Sequence, residues 1–315
     1  MGVIMKILKY VVSILIAAIL LIFFGATWYF SGEIVAFTPR SAEEIFDMKP
    51  FHDLADYGVS YEEVSFQTYE KSDTKEGEKL TLSGWFIPGR GKDAPVFIVL
   101  HGKGDSRVGV IKYAGMLARA GYAVLLYDHR HHGKSGGEMS TYGYYEGYDV
   151  SAAIDYLESR GDVSTKRLGV MGESFGAATA IIASARDKRI GLLIEDSSYP
   201  DLTTIIADFG KNLYNLPKFP LVYSALFVGG LRADFDASSV SPLDAIKEVT
   251  VPTLILHCDA DPDIKPEYSK LMYDASPAET KELHYFSGCG HTLGYEDHTD
   301  EYEGIVLDFI EKNVP

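Results

Sequence analysis

Apolar positions along this chain follow three rhythms, and each predicts a different kind of element. From Tyr10 to Gly32 the run is uncharged and dense in Ile, Leu, Val, Ala and Phe, with Lys6 and Lys9 before it and Glu33 as the next charge. A helix of about 20 residues spans a bilayer core, so this run predicts a transmembrane helix over residues 10–32. Residues 59–66 and 80–86 alternate apolar with polar, the period-two mark of half-buried, antiparallel strands. Beyond a turn at 89–93 the strands become continuous apolar runs, at 95–100, 123–127, 168–171, 192–195, 253–256 and 283–286. Helix-spaced segments lie between them, at 110–118, 148–157 and 177–183, with a last one near 302–310. Continuous strands alternating with helices predict an α/β domain with a mostly parallel sheet and helices on both faces.

These elements divide the chain into an N-terminus (1–9), a membrane anchor (10–32), a polar, helix-leaning connector (33–57) and one α/β domain (58–315). Between about 198 and 242 the alternation breaks. Leu213, Phe219, Leu221, Tyr223 and Phe227 are interrupted there by Pro217, Pro220, Gly229 and Gly230. The stretch is too long for a plain crossover and reads as a small lid over the carboxyl edge of the sheet.

Charge and composition refine this picture. Positive residues precede the anchor, acidic residues follow it, and Trp28, Tyr29 and Phe30 form an aromatic belt at its far end. That pattern predicts a cytoplasmic N-terminus and an extracytoplasmic domain in a single-pass cell-membrane protein. A cleaved signal peptide would carry a shorter apolar run and a small-residue cleavage site, whereas Gly25-Ala26-Thr27 leads directly into bulky aromatics. The net charge of -16 argues against nucleic acid as a partner, since phosphate binding needs a basic face. Two cysteines, Cys258 and Cys289, exclude a disulfide-scaffolded fold. Unpaired thiols are the expectation, with a bridge between them chemically allowed in an oxidising compartment.

Ligands bind such sheets outside the carboxyl ends of the strands, so the residues just past each strand carry the candidate chemistry. Gly172-Glu173-Ser174-Phe175-Gly176 stands between a strand and a helix, a setting that lifts a serine hydroxyl clear of the sheet. A serine nucleophile needs a base, and the base needs a third group to fix its tautomer and stabilise its cation. His291 follows the last strand in a glycine-bearing loop and is the candidate base. Asp261, one turn past its strand and before Pro262, is the candidate acid; Asp259 is the alternative, and Asp263 reads as a loop or helix-capping residue. The backbone N–H groups of Lys103 and Phe175 are the candidate oxyanion donors. His101, Gly102, Tyr199 and Phe227 are candidates for the substrate pocket. Arg130 and Lys134 among His129, His131 and His132 oppose a cation, so no metal or cofactor is expected. Tyr142, Tyr144 and Tyr145 are expected to pack on the sheet edge.

His101-Gly102, Asp128-x-Arg130 leading to His132-Gly133-x-Ser135-x-Gly137, Gly172-x-Ser174-x-Gly176, the loop from His257 to Asp261, and Gly290-His291 occur together in one order. Over roughly residues 60–313 the chain thereby resembles the α/β-hydrolase superfamily. More narrowly, it resembles bacterial membrane-anchored hydrolases of the serine-aminopeptidase-like kind. The resemblance implies an α/β-hydrolase fold with an eight-stranded sheet and a Ser174–Asp261–His291 triad. His131 and Cys258 stand where such relatives often have glycine. The function expected is a serine hydrolase acting on carboxylic ester, thioester or lipid-like acyl substrates through an acyl-enzyme on Ser174. One alternative is a peptidase using the same residues, with Asp201, Asp208, Asp234 or Asp236 holding a substrate amine. The other is a non-catalytic binding protein on the same scaffold.

Overall fold

A computed structural model describes residues 2–41, 43–45 and 53–314. Residues 42 and 46–52 of the predicted connector lie outside them. Helix α1 (Gly2–Val35) covers 34 residues, about 51 Å at 1.5 Å per residue. Among the described residues it is the one helix long and apolar enough to cross a membrane by length and composition.

Eight strands form one sheet in the order β1-β2-β4-β3-β5-β6-β7-β8. β1 (Glu62–Lys71) pairs antiparallel with β2 (Glu76–Ile87), and β2 pairs antiparallel with β4 (Ala123–Tyr127). From β4 onward every pairing is parallel, through β3 (Val96–Leu100), β5 (Leu168–Glu173), β6 (Leu192–Asp196), β7 (Thr253–Cys258) and β8 (Lys281–Phe286). The pattern follows from exposure: β3 to β7 are buried on both faces, as parallel strands under crossover helices must be, whereas β1 lies at an edge and alternates. β1 extends through Gln67–Lys71, past the apolar alternation seen in the sequence, because its edge position admits charge.

Helices α2 (Ile111–Ala120) and α8 (Thr299–Asn313) cover one face with Tyr113, Leu117, Tyr302 and Phe309. Helices α3 (Tyr144–Ser159), α4 (Phe175–Arg186) and α7 (Glu267–Ala275) cover the other with Val150, Ile154, Ile181 and Met272. In the inserted segment, α5 (Leu202–Tyr214) and α6 (Tyr223–Ala233) build a third apolar cluster. Ile34 and Val35 of α1 belong to that cluster, together with Phe175 and Tyr199.

Beyond α1 the chain is extended and fastened to the domain at three points. Ser140 N–H donates to the Val35 carbonyl (2.8 Å), and Arg40 N–H donates to the Gly104 carbonyl (2.9 Å). The His131 ring donates to the Phe37 carbonyl (2.6 Å). His131 has φ 66°, in the left-handed region that glycine enters without steric cost.

Candidate active site

The turn between β5 and α4 explains why small residues flank Ser174. A Cβ on Gly172 would lie 2.3 Å from the Gly176 carbonyl oxygen, and one on Gly176 would lie 2.3 Å from the Leu100 carbonyl oxygen. Only glycine permits those approaches. Ser174 itself adopts φ 54°, and its N–H donates to the Asp196 carbonyl (2.8 Å), which holds the bend onto β6. Phe175 opens α4, where a backbone N–H has no intrahelical partner. The loop after β3 runs alongside: a Cβ on Gly102 would be 3.6 Å from the Ser174 Cβ.

Three loops bring Ser174, His291 and Asp261 into one hydrogen-bonded chain. Ser174 Oγ lies 2.8 Å from His291 Nε2, and His291 Nδ1 lies 2.7 Å from Asp261 Oδ2. Asp261 is buried, and its Oδ1 accepts the N–H groups of Asp263 (2.8 Å) and Ile264 (2.9 Å). Asp259 points elsewhere, accepting the Gly288 N–H at 2.7 Å and so tying the loop after β7 to the loop after β8. Asp263 is exposed at the rim and caps no helix by its side chain; Pro266 occupies the cap position of α7.

A second histidine stands behind Asp261. His257 Nε2 faces two acceptors, the Ile264 carbonyl (3.0 Å) and Asp261 Oδ2 (3.2 Å), and Nδ1 faces the Ser269 hydroxyl (2.6 Å). The proton therefore belongs on Nε2, and Nδ1 accepts. Burial opposes the charged form of His257, but the hydrogen bonds to Asp261 and Ile264 outweigh it and raise its pKa above the ordinary value. Burial likewise opposes the carboxylate of Asp261, yet hydrogen bonds from His257, His291 and Ile264 hold its pKa well below the usual carboxylate range. Glu195 on β6 is fully buried with one oxygen unpartnered, and desolvation pushes its pKa up to about 8.

A buried cation braces the opposite wall. Lys112 Nζ lies 3.1 Å from Glu173 Oε2 and 3.1 Å from Glu296, and it donates to the Thr292 carbonyl at 2.8 Å. Burial disfavours its charge, but the attraction of Glu173 and Glu296 prevails and raises its pKa. The lysine thus ties the residue before Ser174 to the residue after His291. No local spacing in the sequence signals this link, because its members are far apart along the chain.

The histidine-rich segment is structural. His132 Nδ1 lies 2.8 Å from the Arg130 carbonyl, and Nε2 accepts the Gly104 N–H at 3.1 Å. His101 Nε2 accepts the His129 N–H at 3.0 Å. Both rings are held beneath the loop of residues 101–104. Burial sets the pKa of His132 and of His129 well below the ordinary value. Among the described residues, no group of three or more His, Cys, Asp or Glu side chains is disposed to hold a metal ion.

Ser174 and His291 open into a cavity of about 570 Å3 whose lining includes Gly102, Lys103, Tyr142, Tyr199 and Phe209. Two pocket candidates are corrected here. His101 is fully buried and does not line the cavity; its ring supports the loop from below. Phe227 is 67% exposed on the outer side of α6 and does not line it either. The tyrosine expectation also changes. Tyr142 leaves the sheet edge and lines the cavity, with its ring 6.0 Å from that of Phe175. Phe209, which sequence reasoning did not single out, and Leu213, which it placed in the lid without assigning it to the pocket, reach the cavity from α5. Their signal is the i, i+4 spacing of Ile205, Phe209 and Leu213 on one helix face. Cys258 and Cys289 form a disulfide, against the expectation of free thiols. The register explains it: Cys258 pairs with Phe286 at the ends of β7 and β8, and the turn through Gly288 returns Cys289 to the same spot.

A fold and site of this kind define a class, and sequence comparison agrees. The model of the X-Pro dipeptidyl-peptidase (S15 family) matches residues 45–219, over half of the chain, and that of serine aminopeptidase, S33, matches residues 228–298. The chain therefore belongs to the α/β-hydrolase superfamily and, by the larger match, to its S15 family. Among solved structures it is similar to the Pyrococcus furiosus esterase Pf2001, with a TM-score of 0.68 and 25% identity over 84% of this chain and 96% of that one. Among curated proteins it is 29% identical over 222 residues to the uncharacterized protein YqkD of Bacillus subtilis, covering 70% of this chain and 72% of that one. It is 28% identical over 243 residues to the uncharacterized protein YfhR of Escherichia coli, covering 75% and 78%.

Proposed function

We propose that the protein is a membrane-anchored serine hydrolase that cleaves carboxylic ester, thioester or lipid-like acyl substrates. One observation carries the reading: the hydrogen-bonded chain Ser174–His291–Asp261 opens into the cavity that contains the two candidate oxyanion donors. In this mechanism His291 Nε2 takes the proton of Ser174 Oγ as that oxygen attacks the acyl carbonyl. Asp261 holds the imidazole in the required tautomer and stabilises its cation. The N–H groups of Lys103 and Phe175 receive the developing oxyanion. The proton on His291 passes to the departing alcohol or thiol. Water then attacks the acyl-enzyme, giving up its proton to His291, and the carboxylic acid leaves as the proton returns to Ser174.

The similar Pyrococcus furiosus protein is an esterase, which supports ester over amide chemistry. So do the carboxylates. Asp201 caps α5 through Thr204 N–H (2.8 Å), Asp208 pairs with Lys265 (2.8 Å), Asp234 pairs with Lys71, and Asp236 caps Ser238 (2.9 Å). None of the four lines the cavity; of the carboxylates that do, Glu173 and Glu296 are held by Lys112, Asp105 accepts the Ser106 N–H (2.7 Å), and Asp263 lies exposed at the rim. At Glu173 or Glu296 a substrate amine would have to compete with that buried cation.

Full-length protein in detergent should hydrolyse p-nitrophenyl butyrate and label with a fluorophosphonate, and Ser174→Ala should remove both, lowering the rate by a factor of about 10⁴ or more. Folded protein that neither labels nor hydrolyses would be a binding protein on this scaffold, and preference for an aminoacyl arylamide would make it a peptidase. The anchor reading puts the N-terminus in the cytoplasm and the domain outside. The Cys258–Cys289 disulfide suits that compartment. Protease added to intact cells should digest the domain; full protection would reverse the orientation.

A further inference from the structure

The anchor helix takes part in building a second cavity, of about 160 Å3, which shares Lys103, Tyr142, Phe209 and Leu213 with the cavity at Ser174. Phe30 and Ile34 of α1 line it on one side, and Gly210, Leu221 and Val222 on another. Among the described residues its only charged lining residues are Glu33 and Lys103. Lys103 lies where the two cavities meet, with its ammonium group 4.1 Å from the Phe37 ring centre and 5.2 Å from that of Tyr142. The polar reaction centre therefore continues into an apolar extension walled by the anchor.

The depth of that extension can be read from its neighbours. Trp28, Tyr29 and Phe30 form the aromatic belt that marks a bilayer interface. Tyr214, at the end of α5, packs edge-on against Phe30 with ring centres 5.3 Å apart. Arg232 of α6 sits 4.6 Å over the Trp28 ring and donates to the Ser31 hydroxyl at 2.9 Å. The ends of α5 and α6 are thus held at the level of the belt. The outer surface of α5, α6 and the segment joining them carries large apolar side chains open to the surroundings, beside Lys211, Asn215 and Lys218: Leu213 is 71% exposed, Phe219 75% and Leu231 68%. A water-facing lid would leave such a surface unpaired, whereas one resting on the acyl boundary of a bilayer would bury it. Leu213 both lines the small cavity and belongs to this exposed surface, so the cavity rim lies at the same depth.

From this arrangement we infer that the substrate is a long-chain acyl ester resident in the membrane. Its chain would enter the small cavity laterally, along α1 and between α5 and α6, while its carbonyl reaches Ser174. The inference rests on the serine-hydrolase reading above and adds the acyl pocket, its joint construction by anchor and lid, and the route of entry.

Gly210 supplies the test. It lines the small cavity with a helical backbone, and a Cβ there would meet only the Val222 Cγ2, at 3.7 Å, an ordinary contact. Gly210→Leu should therefore fold and fill the space. With full-length protein in detergent, kcat/KM of the wild type should rise from p-nitrophenyl acetate to decanoate, by up to about fourfold per added methylene until the cavity is full. In Gly210→Leu the decanoate-to-acetate ratio should fall at least tenfold. Taking the ratio within one preparation cancels any loss of folded enzyme. An unchanged ratio in protein whose Ser174 still labels with fluorophosphonate overturns the acyl pocket and leaves the hydrolase reading standing. No labelling and no hydrolysis of either ester removes both. In phosphatidylcholine vesicles, hydrolysis of 4-methylumbelliferyl oleate should follow its density in the membrane that holds the protein. A rate that follows only bulk concentration would assign entry to water and overturn the lateral route.

Discussion

Breaking the Cys258–Cys289 bridge is the sharpest test of how the loops of Asp261 and His291 are held. Asp261 follows Cys258 by three residues and His291 follows Cys289 by two, so the bridge joins the roots of both loops. It closes a loop across 31 residues. In the chain-entropy description, a closure of that size removes about 3.7 kcal/mol of freedom from the unfolded chain. For a domain of this size each kcal/mol moves the melting temperature by about 2–4 °C, so the bridge should contribute about 7–15 °C. The local geometry does not depend on the bridge alone. Cys258 and Phe286 are paired in the ladder, Asp259 N–H donates to the Phe286 carbonyl (2.9 Å), and the Asp259 carboxylate receives Gly288 N–H. Activity at 25 °C should therefore fall only several-fold, while stability falls strongly. The assay is a thermal melt of full-length protein with and without reductant, beside Cys258→Val/Cys289→Ala, with the thiol count checked by mass spectrometry after alkylation. A melting temperature unchanged within about 2 °C, with both thiols alkylated before heating, would refute the reasoning.

Two further outcomes follow from the buried charges. Burial raises the pKa of Glu195 to about 8, so the folded state keeps a proton that the unfolded chain releases near pH 4.5. The associated stability is full below that lower pH and is lost as pH rises toward 8, by up to about 1.4 kcal/mol per pH unit. Glu195→Gln should therefore gain on the wild type between pH 5 and pH 8, by about 4 kcal/mol at most; denaturant melts giving the same difference at both pH values would disprove it. Lys112→Met would leave the buried Glu173 and the half-buried Glu296 without their shared cation, at a cost of about 3–5 kcal/mol. A loss below about 1 kcal/mol in the same melts would mean that the carboxylates find other partners.

Much of the fold was legible because the sheet imposes its own periodicities. Strands buried on both faces must be continuously apolar, and runs such as 96–100 and 123–127 have little other reading. The end of β1 was not legible, since an edge strand needs no apolar pattern at Gln67–Lys71. At the site, the positions of Ser174, Asp261 and His291 were readable from their order past successive strands. Between Asp259 and Asp261, strand-relative position favoured Asp261 without deciding geometry; the turn through Ile264 aims one carboxylate at His291 and the other at Gly288. His101 misled because a residue just past a strand can point beneath its loop as readily as into the cavity. Phe227 misled because an apolar residue in a lid has two faces to choose from, and its side chain lies on the outer one. The disulfide was hidden by its dependence on a turn no composition reveals.

The three fastenings of residues 35–40 change what kind of device the proposed anchor would be. A flexible leash lets an enzyme wander through a hemisphere of solvent and meet substrates at any distance within its reach. A helix bolted to the domain at Val35, Phe37 and Arg40 gives no such freedom. With α1 seated in a bilayer, the reactive hydroxyl stays at one height above the lipid, and a scissile bond must present itself at that height. Spacing along the membrane normal then acts as a selectivity filter that no side chain in the cleft has to supply.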